Sequence, residues 1–412
     1  RSPPPEARPR PCLRAPPPSP AARASPGPAP RSRPRSSSRQ PGGQPSWLPG
    51  GSAAMPIKKP PDLPNLDMTD PQLGVRDANF NLSDSGTFSK DDFTLKAHGI
   101  TQSPFGHRQG SSILDQLQFV RKLGVGNSSE VKLMRHTPSN QLVALKQLKV
   151  IQDANLREQV INELKVLCAV RCDHLVALFD AFYRDGTIHL ALEYMDAGSL
   201  EDVCKRAGRR MPPAALGQVL LQVLQGLIYL HRETHHLHRD LKPANVLLSA
   251  QGAVKLADFG ISRQLENTAA LAATFCGTAR YMAPERLTGE GYSWASDVWC
   301  VGLIALECAT GTHPYPHVDE RDLFKLHIAI LQDEEPTSAP GLAQELERLG
   351  FPPDFLSFCA ACTQKDPARR PSALQLIEHP YMQRVMANPQ GTHDLAGWLH
   401  SLGLTGGSLA GD

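Results

Sequence analysis

The stretch His238-Arg239-Asp240-Leu241-Lys242-Pro243-Ala244-Asn245 spaces a carboxylate, an ammonium and a carboxamide as phosphoryl transfer would require. At this spacing Asp240 would lie beside an incoming hydroxyl and Asn245 on a metal ion. Asp258, in Asp258-Phe259-Gly260, would add a carboxylate for Mg2+. Such a reaction needs positioning and charge neutralisation more than covalent chemistry, so few groups suffice. Upstream, Leu123-Gly124-Val125-Gly126-Asn127-Ser128-Ser129, followed by Glu130-Val131, reads as strand, Gly-rich turn and strand. Backbone N–H groups there could approach a polyphosphate without Cβ interference. Ser129 stands where a third glycine is usual, and the lysine of a P-loop is missing, which excludes a Walker site. Gly pairs are common in hairpins, so the turn is weak evidence alone. The next strand, Val143-Ala144-Leu145-Lys146, places an ammonium among apolar residues, which is costly unless its charge is paired. Phosphate oxygens and the Glu163 carboxylate could pair it; two snorkelling surface charges are the alternative.

The elements that must hold these groups follow from periodicity. Residues 117–150 form short β-rich runs separated by turn residues, as an antiparallel sheet would. Residues 154–169 place apolar side chains at helical spacing, and 175–195 return to strand character. From Pro212 the pattern predicts a long amphipathic helix with proline near its start, and helical patterns run on to 387, interrupted by the short strands of NVLLS and AVKLADF. A strand-rich small lobe followed by a helix-rich large lobe is an α+β, bilobal plan.

The ordered set, closed by Ala283-Pro284-Glu285, resembles the eukaryotic protein kinases over residues 115–385. The resemblance implies the bilobal protein kinase fold, with a β-rich N-lobe and a helical C-lobe, and ATP and Mg2+ as cofactors. It implies that Lys146 pairs with Glu163 and the ATP phosphates, that Asp240 orients the acceptor hydroxyl, and that Lys242 neutralises the transferred group. The lysine two places after Asp240 resembles the serine/threonine branch. Leu192 falls at the gatekeeper position, Glu193-Tyr194-Met195 resemble the hinge that bonds adenine, and Val131, Ala144 and Leu247 would sandwich the ring. Leu167, His238 and Phe259 would stack as a spine, Arg370 would hold Glu285, and Asp297 would anchor the catalytic loop.

Within the kinases, the segment from Asp258 to Glu285 resembles that of MAP kinase kinases, especially plant and protist members. Thr268 and Thr274 have the spacing of the plant-type phosphorylation pair, and added phosphate could order the loop against basic groups such as Arg239. Thr278 would contact substrate and the catalytic loop instead. Residues 82–100 resemble the stretch preceding the core in that family, and 394–404 resemble the tail of its animal members. The resemblance implies a MAP kinase as substrate and an upstream MAP kinase kinase kinase as activator. Lys58 and Lys59, a stiff proline spacer, and Leu66 with Met68 form a basic and apolar peptide within residues 58–68, suited to docking a MAP kinase. The alternative is a generic basic tail. Two other functions stay open: a related serine/threonine kinase with other protein substrates, and a scaffold that binds MAP kinase without catalysis.

Charge is uneven along the chain. The net charge is +2, yet residues 1–54 hold nine Arg and a single acid, Glu6, so the rest is acidic on balance. A basic nucleic-acid-binding domain is not expected. Sixteen of the 37 prolines lie in residues 1–54, which cannot bury enough apolar surface to fold. That stretch is expected to be a disordered arm, a remnant of a longer protein or a non-native leader; its composition also resembles a transit peptide, without the amphipathic pattern. Residues 55–112 are expected to be a linker with docking elements, and 386–412 a C-terminal tail. No run of about 18 apolar residues is evident, so no membrane span is expected. Nine scattered cysteines suit a reduced, cytoplasmic chain, with the nucleus as a further address. Cys359 and Cys362 form a lone CxxC, read as two faces of a buried helix rather than a zinc site.

Overall fold

The structure, a computed structural model, describes residues 113–405 except 126–128, 150–163, 165–166, 169, 185–186, 260–278, 316–317 and 319–321, together with three short strands farther upstream. Those strands, β1 (Asn81–Leu82), β2 (Phe88–Lys90) and β3 (Phe93–Leu95), form an antiparallel meander within the stretch expected to be linker.

Alternating β-rich runs then build a five-stranded antiparallel sheet. It comprises β4 (Leu117–Val125), β5 (Ser129–His136), β6 (Gln141–Lys149), β7 (Leu178–Arg184) and β8 (Thr187–Glu193), in the order β4-β5-β6-β8-β7. Register matters for the chemistry: Val131 on β5 pairs with Lys146 on β6, and Ala144 pairs with Leu192 on β8. Ile113, Val143, Phe182 and Ala191 pack as a small separate cluster on this lobe.

A second sheet, β11-β10-β9, joins β9 (Gly198–Ser199), β10 (Val246–Leu248) and β11 (Val254–Leu256). The bridge Leu175–Leu256, with Val176 N–H donating to Leu256 O at 2.9 Å, ties this ribbon to the segment entering β7.

The large lobe is helical. It includes α1 (Leu200–Arg206), α2 (Pro213–Ile228), α3 (Pro284–Leu287), α4 (Trp294–Thr310), α5 (Leu323–Gln332), α6 (Leu342–Arg348), α7 (Pro353–Cys362), α8 (Ala373–Ile377), α9 (Pro380–Met386) and α10 (Gly391–Ser401). Proline at the first position of α2 lacks an N–H that would have no helical partner there. Twelve of the sixteen α2 residues are buried, so α2 is a central core helix rather than the amphipathic one expected. Two of its polar residues, Gln218 and Gln222, are enclosed; Gln222 donates to Gly252 O at 3.0 Å and accepts from Val254 N at 2.9 Å, fastening α2 to the β10–β11 turn. Continued by the π-helical turn Tyr229–Glu233, this stretch is, by length and composition only, long and apolar enough to cross a membrane. It is 72% buried within the protein, and packing against other helices accounts for its composition.

α4 is equally enclosed. Ser293 and Ser296 form a reciprocal capping box at its start, and Gly311 (φ +78°) ends it in the left-handed region, where a Cβ would also meet Arg210 Cγ at 2.9 Å. On α7, Cys359 and Cys362 are fully buried; three residues apart, they share one helix face rather than two. Burial pushes both thiols up.

Candidate active site

The catalytic-loop residues converge because a buried frame fixes their backbone. Asp297, in the first turn of α4, is fully buried and accepts the N–H groups of His238 (2.9 Å, Oδ2) and Arg239 (3.0 Å, Oδ1). His231 Nε2 lies 2.8 Å from Oδ2, and the Tyr292 hydroxyl donates to Oδ1 at 2.5 Å. Burial alone would raise the Asp297 carboxyl, but the His231 contact, His238 and Tyr292 more than reverse this and hold it below its ordinary value. Arg239 is thereby held at φ +66°, a conformation unusual for a bulky residue. Glu285, on α3, accepts both Arg370 nitrogens at 2.8 Å and the Ser296 hydroxyl at 2.6 Å. Burial opposes ionisation there too, and Arg370 with Ser296 keeps the carboxyl depressed.

On this frame the reacting groups gather. Asp240 Oδ2 accepts from Lys242 Nζ and from Asn245 Nδ2, both at 2.8 Å, and Asn245 Nδ2 also donates to Asp240 O at 2.8 Å. Asp240 Oδ1 is buried and has no hydrogen-bond partner among the described residues. Ala257 N–H donates to Asn245 O at 2.9 Å, which couples this loop to the residue before Asp258.

Asp258 takes φ +58°, and its Oδ1 lies 2.6 Å from Lys146 Nζ. Burial would raise the Asp258 carboxyl; the Lys146 ammonium, by charge and hydrogen bond, and Lys242 more weakly, bring it below the ordinary range. Lys146 itself is 4% exposed, so it does not snorkel, and the carboxylate beside it is that of Asp258; the expected pairing with Glu163 lies outside the described residues. Glu163, Gly126, Asn127, Ser128, Thr268, Thr274, Thr278 and the peptide 58–68 lie outside the described residues.

Above the cleft, β4 carries Leu123, Gly124 and Val125, β5 carries Ser129 and Val131, and β6 carries Ala144. Leu192 and Glu193 end β8, Met195 follows, buried, and Leu247 lies on β10. Glu193 Oε2 accepts Lys255 Nζ at 2.8 Å and Ala177 N–H at 3.2 Å, so the β8 end is latched to β11 just before Asp258. Leu167 and Phe259 belong to one buried cluster, and the fully buried His238 ring meets that of Phe259 edge to face at 6.4 Å. Burial lowers the His238 imidazole and favours its neutral form.

Sequence reading missed His231, Tyr292, Ser296 and Lys255. His231, Ser296 and Lys255 act through carboxylates distant in sequence, whereas Tyr292 acts on Asp297 five positions on; the nearest signal is the clustering of Tyr292, Ser296 and Asp297 at one helix start.

The family model described as protein kinase domain matches residues 117–382. Mitogen-activated protein kinase kinase 2 of Arabidopsis thaliana is 39% identical over 333 residues, covering 78% of this chain and 89% of the relative. Mitogen-activated protein kinase kinase 1c of Physcomitrium patens is 38% identical over 315 residues, covering 74% and 90%. Dual specificity mitogen-activated protein kinase kinase dSOR1 of Drosophila melanogaster is 35% identical over 300 residues, covering 69% and 74%. With a protein kinase fold, a catalytic loop fastened to α4 and relatives of this coverage, the chain belongs to the mitogen-activated protein kinase kinase family of protein kinases.

Proposed function

We propose that the chain uses MgATP to phosphorylate the Thr and Tyr of a MAP kinase activation loop, and that an upstream MAP kinase kinase kinase switches it on at Thr268 and Thr274. The observation that carries the catalytic part is the asymmetric Asp240 carboxylate, with Oδ2 held by two neighbours and Oδ1 buried and unpartnered among the described residues. An acceptor hydroxyl would complete that oxygen. Asp240 orients the hydroxyl and takes up its proton at Oδ1. Lys242 lies against the same carboxylate and offers its ammonium to the group in transit.

The residues present fit MgATP. Asp258 offers a carboxylate and Asn245 a carboxamide oxygen, the hard donors that Mg2+ prefers, and both Asn245 donor bonds point its Nδ2 toward Asp240. Bound MgATP supplies the transferable phosphoryl group and the cation that offsets its charge. By the kinase resemblance, Lys146 on β6 would hold the phosphates, with Glu163 as its expected further partner. Leu123, Gly124, Val125, Gly126, Asn127, Ser128 and Ser129 would offer them backbone N–H groups. Val131, Ala144, Leu192 and Leu247 supply the apolar walls for adenine, and the Glu193 and Met195 backbone its polar edge.

The relatives' names support the substrate class, and the basic and apolar peptide 58–68 supports docking of a MAP kinase. Incubation with MgATP and a catalytically dead MAP kinase, followed by phosphosite mapping, is expected to show label on both Thr and Tyr of the substrate loop. Label confined to serines elsewhere would replace this reading with that of a kinase for other substrates. Replacing Thr268 and Thr274 together by alanine is expected to abolish activation by the upstream kinase.

A further inference from the structure

Beside Lys242, Pro243 and Ala244 of the catalytic loop, the large lobe holds a cavity of about 260 Å3 between α1 and α4. Glu201, Lys205, Lys242 and Arg280 line it, and so do two cysteines, Cys204 on α1 and Cys308 on α4. Their sulfurs are 3.6 Å apart. We propose that Cys204 and Cys308 are a peroxide-oxidisable thiol pair whose disulfide staples α1 to α4 beside Lys242.

Three features distinguish this pair from cysteines that merely pack. The first is backbone restraint. Arg209 N–H donates to Cys204 O at 2.6 Å, and Met211 N–H donates to Cys308 O at 2.8 Å. Arg210 Nε adds a bond to Thr310 O at 2.8 Å. The short connection between α1 and α2 is therefore fastened at one end to each cysteine, and the two cannot drift apart without breaking it. A disulfide has an S–S length of about 2.05 Å, so the sulfurs must close by about 1.5 Å from their 3.6 Å separation.

The second feature is access. Cys204 is half-buried and faces the cavity, whereas Cys308 is 2% exposed behind it. An oxidant small enough to enter meets Cys204 first. The third is the state of the enclosed sulfur. The Cys204 hydrogen bond and burial push the Cys308 thiol well up, so Cys308 stays protonated and is no target for the oxidant by itself.

The chemistry needs a hydroperoxide as oxidant. The Cys204 thiolate attacks the terminal oxygen of the hydroperoxide. The O–O bond breaks, an S–O bond forms, and the alcohol or water leaves with the proton that Cys204 gave up. The resulting sulfenic acid presents an electrophilic sulfur to Cys308. The Cys308 sulfur attacks it, the S–S bond forms, the S–O bond breaks, and water departs with the Cys308 proton. Two thiols are oxidised, one peroxide is reduced, and a dithiol reductant reverses the change.

Cys359 and Cys362 provide an internal contrast. Both are fully buried on α7 and do not line this cavity, so they should stay reduced while the protein is folded.

The test uses the full chain, reduced and then treated with hydrogen peroxide under native conditions. Free thiols are alkylated, and the protein is digested without reductant for mass spectrometry. The expected product is a cross-linked peptide pair joining Cys204 to Cys308, lighter by two hydrogens than the separate thiols and released by dithiothreitol. Cys359 and Cys362 are expected to be alkylated only after denaturation. In Cys308→Ala, a sulfenic acid should persist on Cys204 and be captured by dimedone. In Cys204→Ser, Cys308 should remain a thiol. Cys308→Ser serves if the alanine variant melts earlier than the parent under reductant. Recovery of both cysteines as thiols, when peroxide has oxidised other cysteines of the same molecules, would overturn the proposal. So would over-oxidation of Cys204 without a bridge, or a bridge from Cys204 to any other cysteine.

Discussion

Two sets of carboxylates in the protein are treated in opposite ways. In the frame, Asp297 spends both oxygens on four donors, and Glu285 spends both on Arg370 and Ser296. In the reacting set, Asp240 keeps Oδ1 unpartnered among the described residues, and Asp258 is a third exposed and held by a lysine that ATP phosphate would share. Saturated buried networks specify one geometry, whereas an unsatisfied polar atom stores a demand for a ligand. Rigidity and reactivity are thus assigned to different side chains. A substitution should affect one property without the other, and each prediction below tests that separation.

The largest expected effect is on rate. Asp240→Asn removes the proton acceptor and should lower kcat by ~10^2–10^4-fold. The urea midpoint should stay near that of the parent; a midpoint falling as far as in a frame variant would erase the distinction. Next comes stability. Glu285→Ala strands a buried guanidinium at Arg370, at a cost of ~3–5 kcal/mol. Urea unfolding should register that loss, while turnover per folded molecule changes far less than in Asp240→Asn.

Acid unfolding is expected to sharpen the contrast further. The Asp297 and Glu285 carboxyls are depressed in the folded protein, so the unfolded chain binds protons first as pH falls. Their contribution is complete above the ordinary carboxylate range of about pH 4 and drains away as pH drops through it toward the lower folded values. Urea midpoints should therefore fall steeply below about pH 4.5 in the parent and less steeply in Asp297→Asn. The smallest effect is expected at the latch between β8 and β11. Lys255→Met removes a partly exposed pair and should cost ~1 kcal/mol or less. A larger drop in melting temperature would place Lys255 with the frame.

The sequence carried the reacting groups well because they come in short ordered motifs whose spacing is the chemistry. Asp240, Lys242 and Asn245 fall within six consecutive positions, and the strand holding Lys146 is plain from its apolar neighbours. The Arg370–Glu285 and Asp297 contacts expected from the kinase resemblance are present in the structure. The rest of the frame was illegible. His231 reaches Asp297 across 66 positions of sequence, from a π-helical turn that no local pattern announces. The meander of β1 to β3 was also missed, because two- and three-residue strands lie below the length at which alternation can be read. α2 differs for another reason: Gln218, Gln222 and Gln225 fall on one helix face and read as a solvated polar stripe, yet Gln218 and Gln222 are buried.

That enclosure bears on how the chain is made. α10 packs on α2, with Gly391 so close to Gln218 that a Cβ there would lie 1.9 Å from its amide nitrogen. Synthesis delivers α2 long before α10, so the most water-averse segment of the large lobe waits for part of its cover until α10 has followed. In that interval the nascent protein exposes a surface suited to chaperones, and deleting α10 would prolong the exposure rather than merely trim an appendage.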